Sequence, residues 1–225
     1  MKPGSTTTLV MTGMLGMTTP VMIGPAPAPS GSIHEDVPAS IDPKARYLIY
    51  LHGRILETQG RRAVSPDFGR YEYDAILRAL AGKGLVVVSE LRGGDTPPDY
   101  AKKVAAQVRR LEAASVPASH ITVAGFSKGG SLARGAAVEL ADPAVSFVIM
   151  AGCGRRAADA RPGTLKGRML SLYDASDEMG GSCKPLFAPG MEVKEVRLTT
   201  GLRHGLFFRP RPEWVDLVAD WTRTP

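Results

Sequence analysis

The chain has 225 residues, with 28 Lys and Arg against 22 Asp and Glu, a formal net charge of +6, 44% hydrophobic and 22% charged residues. These ordinary proportions exclude a collagen, a coiled coil or wholesale disorder, and the length suits one domain of roughly 150 residues plus an appendage. Two cysteines cannot make a four-cysteine zinc site and no Cys/His pair stands at ligand spacing, which argues against zinc-finger classes, and no metal site is expected.

The appendage is at the start. Met1, Met11, Met14, Met17 and Met22 are five of the nine methionines, and Lys2 is the only charged residue before His34. A basic residue, a moderately apolar run over residues 9–24 and the small-residue stretch Pro25-Ala26-Pro27-Ala28 fit a secretory signal, with a disordered leader as the plainer alternative. The run is too weak for a permanent anchor, which needs about twenty consecutive apolar residues. Residues 1–32 are therefore expected to lie outside the folded domain, residues 33–225, and the protein to be periplasmic or secreted, with a cytoplasmic location as the alternative.

From Ala45 onward short apolar runs alternate with helical patterns. Tyr47-Leu48-Ile49-Tyr50-Leu51 reads as a buried parallel strand ending at His52-Gly53-Arg54. A long loop is expected over Arg54 to Arg70. Residues 73–80 read as a helix with Ile76, Leu77 and Leu80 on one face, stopped at Gly82 and Gly84. Residues 85–88 form the second strand, ending at Glu90-Leu91-Arg92-Gly93-Gly94. Ala101, Val104, Val108 and Leu111 then mark an amphipathic helix. The third strand, residues 121–124, runs into Gly125-Phe126-Ser127-Lys128-Gly129-Gly130 and a small-residue helix. Residues 145–151, 168–173 and 193–198 are the fourth to sixth strands, and residues 213–222 a last helix with Trp214, Val218 and Trp221 on one side. Strands separated by helices imply right-handed crossovers and a mostly parallel, six-stranded sheet with helices on both faces, a three-layer αβα sandwich. Such a sheet places its site at the carboxyl ends of its strands.

Gly125-x-Ser127-x-Gly129 is the central motif. A chance Gly-x-Ser-x-Gly is common, but this one stands between a β-branched strand and a small-residue helix, where a strained strand–turn–helix elbow would present Ser127. The hydroxyl would lie at the helix start, with the Lys128 N–H the natural first donor to an oxyanion. A glycine-rich turn or phosphate cradle is the alternative, although a Walker loop would place its Lys after the glycines. A serine nucleophile needs a base and an orienting acid. His34 lies in the presumed linker, His120 is read as structural, and His52 follows the first strand. His204, in the loop Gly201-Leu202-Arg203-His204-Gly205 after the sixth strand, is the candidate base. After the fifth strand, Asp177 is the candidate acid, with Asp174 the fallback and Glu178 a third choice.

Taken together, Leu51-His52-Gly53-Arg54, Gly125-Phe126-Ser127-Lys128-Gly129-Gly130, Ser176-Asp177-Glu178 and Gly201-Leu202-Arg203-His204-Gly205 give residues 45–223 a resemblance to the small, lidless α/β-hydrolases, similar to the dienelactone-hydrolase-like and serine-esterase branches. The order Ser127, Asp177, His204 matches the family's order. The resemblance implies acyl transfer with no cofactor, and it assigns the second oxyanion N–H to Arg54. The chain departs from the family in lacking the first two strands of the full fold, and in joining its fourth and fifth strands by only about 15 residues where larger members insert a lid, so an open site is expected. The expected activity is hydrolysis of an ester or thioester of a small to medium substrate. A non-catalytic binding protein and a peptidase on the same triad are the alternatives.

Cys153, after the fourth strand, and Cys183, after the fifth, would come within disulfide range on neighbouring strand ends, with two unrelated thiols as the alternative. The basic pairs Lys102-Lys103 and Arg109-Arg110 lie opposite an apolar stripe and read as a solvated face. Without interleaved aromatics they do not suggest a nucleic-acid partner. Arg54, Arg92 and Lys128, near the strand ends, leave an anionic substrate open.

Overall fold

Every residue of Tyr47–Leu51 is buried, as a strand covered on both faces requires. In the computed structural model, which describes residues 1, 4, 31–154 and 165–224, this strand (β2) belongs to a seven-stranded sheet. Its other members are β1 (Ser32–His34), β5 (Val86–Val88), β6 (Ile121–Phe126), β7 (Ser146–Met150), β8 (Arg168–Asp174) and β9 (Val193–Leu198). The spatial order is β1-β5-β2-β6-β7-β8-β9 and every neighbouring pair is parallel. β3 (Val64–Ser65) and β4 (Gly69–Arg70) form a separate antiparallel hairpin.

The two faces of the sheet divide the side chains by parity. Leu48, Tyr50, Ala124, Phe126, Val148, Met150, Leu170 and Leu172 enter one apolar cluster, together with residues of α2 (Tyr73–Ala81) and α5 (Pro212–Arg223). Tyr47, Ile49, Leu51, Ile121, Val123, Phe147, Ile149 and Met169 enter the other, with α3 (Tyr100–Ala113) and α4 (Lys128–Leu140). This is the expected three-layer αβα sandwich.

The sequence reading departs from the structure at two places. Six strands are expected, whereas a seventh, β1, runs along β5 from Ser32, one residue before the expected domain start, and carries His34 out of the presumed linker. Gly31 is part of the fold as well: its N–H donates to the Ala81 carbonyl (3.0 Å), and a Cβ there would lie 2.0 Å from the Leu85 carbonyl oxygen. A three-residue edge strand of mixed polarity carries too little pattern to be read. The expected loop from Arg54 to Arg70 contains a short helix, α1 (Arg54–Gln59), a 3-10 turn over Gly60–Arg62 and the β3–β4 hairpin. Lys2, Pro3 and residues 5–30 of the leader, and Arg155 and Arg156 between β7 and β8, lie outside the described residues. Among the described residues no helix is long and apolar enough to cross a membrane.

The basic face of α3 is occupied by local partners. Lys103 pairs with Glu90, Arg110 with Asp36 (2.7 Å), and Arg109 donates to the Glu139 carbonyl (2.8 Å). These exposed pairs contribute little to stability.

Three constraints hold the carboxyl end of the sheet. Gly129, the second residue of α4, is pressed against the end of β2: a Cβ there would stand 2.0 Å from the Leu51 carbonyl oxygen and 2.8 Å from that of His52. Cys153, past β7, is joined to Cys183, past β8, by a disulfide across 30 residues. Asp174, at the end of β8, accepts hydrogen bonds from the Ser176 N–H (2.9 Å) and hydroxyl, and from the Thr200 N–H (2.9 Å) and Oγ1 (2.6 Å). Burial pushes the Asp174 carboxyl up, but these donors outweigh it and hold its pKa at about 2.

Each constraint is testable. Gly129→Ala drives a methyl group into backbone and should destabilise by at least about 2 kcal/mol in a urea melt. Cys153→Ser releases a 30-residue span, and loop-closure entropy predicts a loss of about 3–4 kcal/mol, reproduced in the parent by reductant. Because the folded-state pKa of Asp174 lies below its ordinary 3.8, its contribution is complete above about pH 4 and is lost as pH falls towards about 2. Asp174→Asn should remove that part of the acid dependence measured by melts at successive pH values.

Candidate active site

The β6–α4 junction is tight because three backbones converge on it. A Cβ on Gly125 would stand 2.1 Å from the Gly129 carbonyl oxygen, so neither end of the turn tolerates a side chain. The chain reverses within this space only by placing Ser127 at φ +54°, ψ −116°, a conformation that costs a non-glycine residue energy. The Ser127 N–H is held by the Met150 carbonyl of β7 (2.9 Å), and the Ser127 carbonyl accepts from Ser131 (3.2 Å). Lys128 is the first residue of α4, where an N–H has no acceptor within its own helix.

The β2–α1 junction lies against this elbow. Gly53 sits so close that a Cβ on it would be 3.0 Å from the Phe126 ring and 3.7 Å from Ser127 Cβ. Arg54, next in sequence, is the first residue of α1, so its N–H too has no helical acceptor. His52 is fully buried, and its Nε2 accepts from the Arg92 N–H (2.8 Å), which leaves the ring proton on Nδ1, facing the Gly53 carbonyl (2.9 Å). Burial, with the Arg92 charge beside it, lowers the His52 pKa to about 3 and keeps the ring neutral. His52 shapes the loop.

Asp177 and His204 meet over the same end of the sheet. Asp177 Oδ2 lies 2.8 Å from His204 Nδ1, with both side chains buried. Burial pushes the Asp177 carboxyl up, but the hydrogen bond and charge of His204 and the N–H groups of Met179 and Gly180 outweigh it, so its pKa is lowered. An ionised carboxylate accepts from Nδ1–H, which leaves Nε2 of a neutral His204 as the basic nitrogen. The His204 ring packs against Phe126, the residue before Ser127, with centroids 4.7 Å apart. The structure thus gathers Ser127, Asp177, His204 and the two helix starts at one end of the sheet.

The fallback acid, Asp174, is turned away and committed to Ser176 and Thr200. The loop expected around His204 contains a 3-10 helix, Arg203–Phe208, in which His204, Leu206, Phe207 and Phe208 are buried. The apolar run Leu206-Phe207-Phe208 was the available signal for that anchoring. The anionic-substrate expectation also changes. Arg92 is buried and bound to Glu57 (Nε to Oε1, 3.1 Å), and Lys128 Nζ is paired with the same carboxylate, while Arg54 alone stays exposed. Sequence reasoning missed Glu57, a lone carboxylate in a polar stretch with no pattern around it. It also missed Glu195, which receives the Cys183 N–H (2.8 Å) and the Ser171 (3.0 Å) and Ser182 (2.8 Å) hydroxyls, and so pins the segment after Asp177 to β9.

No family model and no curated protein matches this sequence. Solved structures do. A lidless α/β serine hydrolase from Xanthomonas campestris is 20% identical, with a TM-score of 0.53 over 84% of this chain and 89% of that one. A hyperthermophilic esterase from the archaeon Pyrobaculum calidifontis is 20% identical, with a TM-score of 0.52 over 83% and 79%. A hormone-sensitive-lipase homologue from a metagenome library is 15% identical, with a TM-score of 0.55 over 82% and 80%. At such identities the likeness speaks for the architecture, and on that ground this chain has the α/β-hydrolase fold.

Proposed function

We propose that the protein is a serine hydrolase that cleaves a carboxylic ester or thioester of a small to medium substrate through an acyl-enzyme on Ser127. The observation that carries this reading is the strained Ser127 elbow (φ +54°) beside a buried Asp177–His204 pair joined at 2.8 Å. Strain at a single serine persists only where the surroundings impose it, and it is characteristic of functional sites.

In the proposed mechanism His204 Nε2 takes the Ser127 proton as Oγ attacks the carbonyl carbon, and Asp177 holds the imidazole in the Nδ1–H tautomer and stabilises the imidazolium. The N–H groups of Lys128 and Arg54 bind the oxyanion, each at a helix start where the backbone partial charge is positive. The imidazolium protonates the leaving group, and water, deprotonated by the same histidine, releases the acid. The chemistry needs no cofactor. That an esterase and a lidless serine hydrolase are among the structural neighbours supports the choice of ester over amide. The Cys153–Cys183 disulfide supports an oxidising compartment, periplasmic or extracellular.

Short p-nitrophenyl esters provide the test. Ser127→Ala should lower kcat at least about 10³-fold and abolish labelling by a fluorophosphonate probe. Asp177→Asn should lower kcat on the order of 10³–10⁴-fold by favouring the wrong tautomer. Equal rates for the parent and Ser127→Ala would reject the reading, and a binding protein without turnover would show neither hydrolysis nor labelling.

A further inference from the structure

The two proposed oxyanion donors lie in different loops, Arg54 at the β2–α1 junction and Lys128 at the β6–α4 junction. Both must point at one oxygen, within about 3 Å, for either to matter. Packing of Gly53 on Phe126 brings the loops together but does not fix how the two N–H groups are turned. A third segment, the β5–α3 connection, joins both loops through a charge cluster.

Glu57, one turn into α1, is its centre. One carboxylate oxygen accepts from Arg92 Nε (3.1 Å) and the other from Lys128 Nζ, with the Glu57 and Arg92 side chains 3% and 1% exposed. Arg92 then reaches the loop before α1 twice: its Nη2 donates to the His52 carbonyl, and its backbone N–H to His52 Nε2 (2.8 Å). Its guanidinium lies over the Tyr100 ring at 5.5 Å. One carboxylate and one guanidinium therefore tie together the residue before Gly53, the helix that begins at Arg54 and the residue after Ser127.

Such a cluster is a poor way to gain stability, because desolvating three charges consumes most of what their attraction returns. Its geometric return is large, since an Arg fork and a carboxylate have few ways to meet. It also leaves one positive charge in excess beside the place where an oxyanion would form. We propose that Glu57 and Arg92 are positioning residues that hold the Lys128 and Arg54 N–H groups in register and bias the site towards negative charge. The inference rests on the serine-hydrolase reading and adds the device that shapes its transition-state pocket.

The experiment compares the parent with Glu57→Gln, Arg92→Lys and Lys128→Met. For each, kcat and KM for a short p-nitrophenyl ester are measured beside the inhibition constant of a trifluoromethyl ketone, whose serine adduct carries the oxyanion. Positioning predicts that kcat falls about 10–100-fold in Glu57→Gln and Arg92→Lys and that ketone affinity weakens in parallel, with KM within about threefold, because only transition-state contacts are lost. Lys128→Met alters a side chain 36% exposed, so it should melt like the parent and lose kcat about 3–10-fold. It decides the matter if the buried variants do not fold. Folded variants with parental kcat and ketone affinity would overturn the inference alone. Hydrolysis that survives Ser127→Ala would overturn the serine-hydrolase reading, and this inference with it.

Discussion

Everything at the carboxyl end of this sheet depends on how closely α4 approaches the strands beneath it. The Gly129 Cα sits where any Cβ would overlap the Leu51 carbonyl, and Gly125 sits where any Cβ would overlap the Gly129 carbonyl. With both ends of the turn pinned against backbone, the intervening serine has one way through, and it is left-handed. The elbow is therefore a packing consequence before it is a chemical one. The same approach brings the β2–α1 junction against the start of α4, with Gly53 packed on Phe126 beside Ser127.

The rest of the molecule holds that end steady. The parity of side chains on the parallel strands supplies two apolar layers, one on each face, and these position the strand ends relative to one another. Beyond the strand ends, polar and covalent clamps take over, because loops bury too little apolar surface to hold themselves. The disulfide, the Glu195 carboxylate and the Asp174 carboxylate together hold residues 174–183. Asp177 is thereby presented to His204, which a run of three buried apolar residues anchors in turn. On the opposite side, Glu57 and Arg92 tie the starts of α1 and α4 together. Each proposed site residue is flanked by a neighbour whose only evident task is to restrict it.

What could be read from the residues alone follows from local periodicity and from composition. Continuous apolar runs marked the central strands, i, i+3, i+7 spacing marked the helix at α3, and glycines two residues either side of a serine marked the elbow. These are signals carried within a few residues of one another. The edge strand β1 and the helix α1 escaped because three and six residues, two thirds of them polar, contain too few repeats for a pattern. The choice between Asp174 and Asp177 could be ranked but not made, since two aspartates three residues apart look alike until their hydrogen-bond partners beyond β9, Thr200 and His204, are in place.

By itself, then, the sequence determined the alternation of strands and helices, the parallel sheet that alternation requires, and the short segments that must cluster at its carboxyl end. The tertiary structure alone decided which carboxylate faces His204, that Arg92 turns inward to Glu57 rather than outward to a ligand, and that Cys153 and Cys183 are joined. The reason is the range of the forces involved. Propensity and amphipathicity act over one or two turns of chain, whereas a hydrogen bond or a disulfide between residues 27 to 71 positions apart exists only after the core has brought them together.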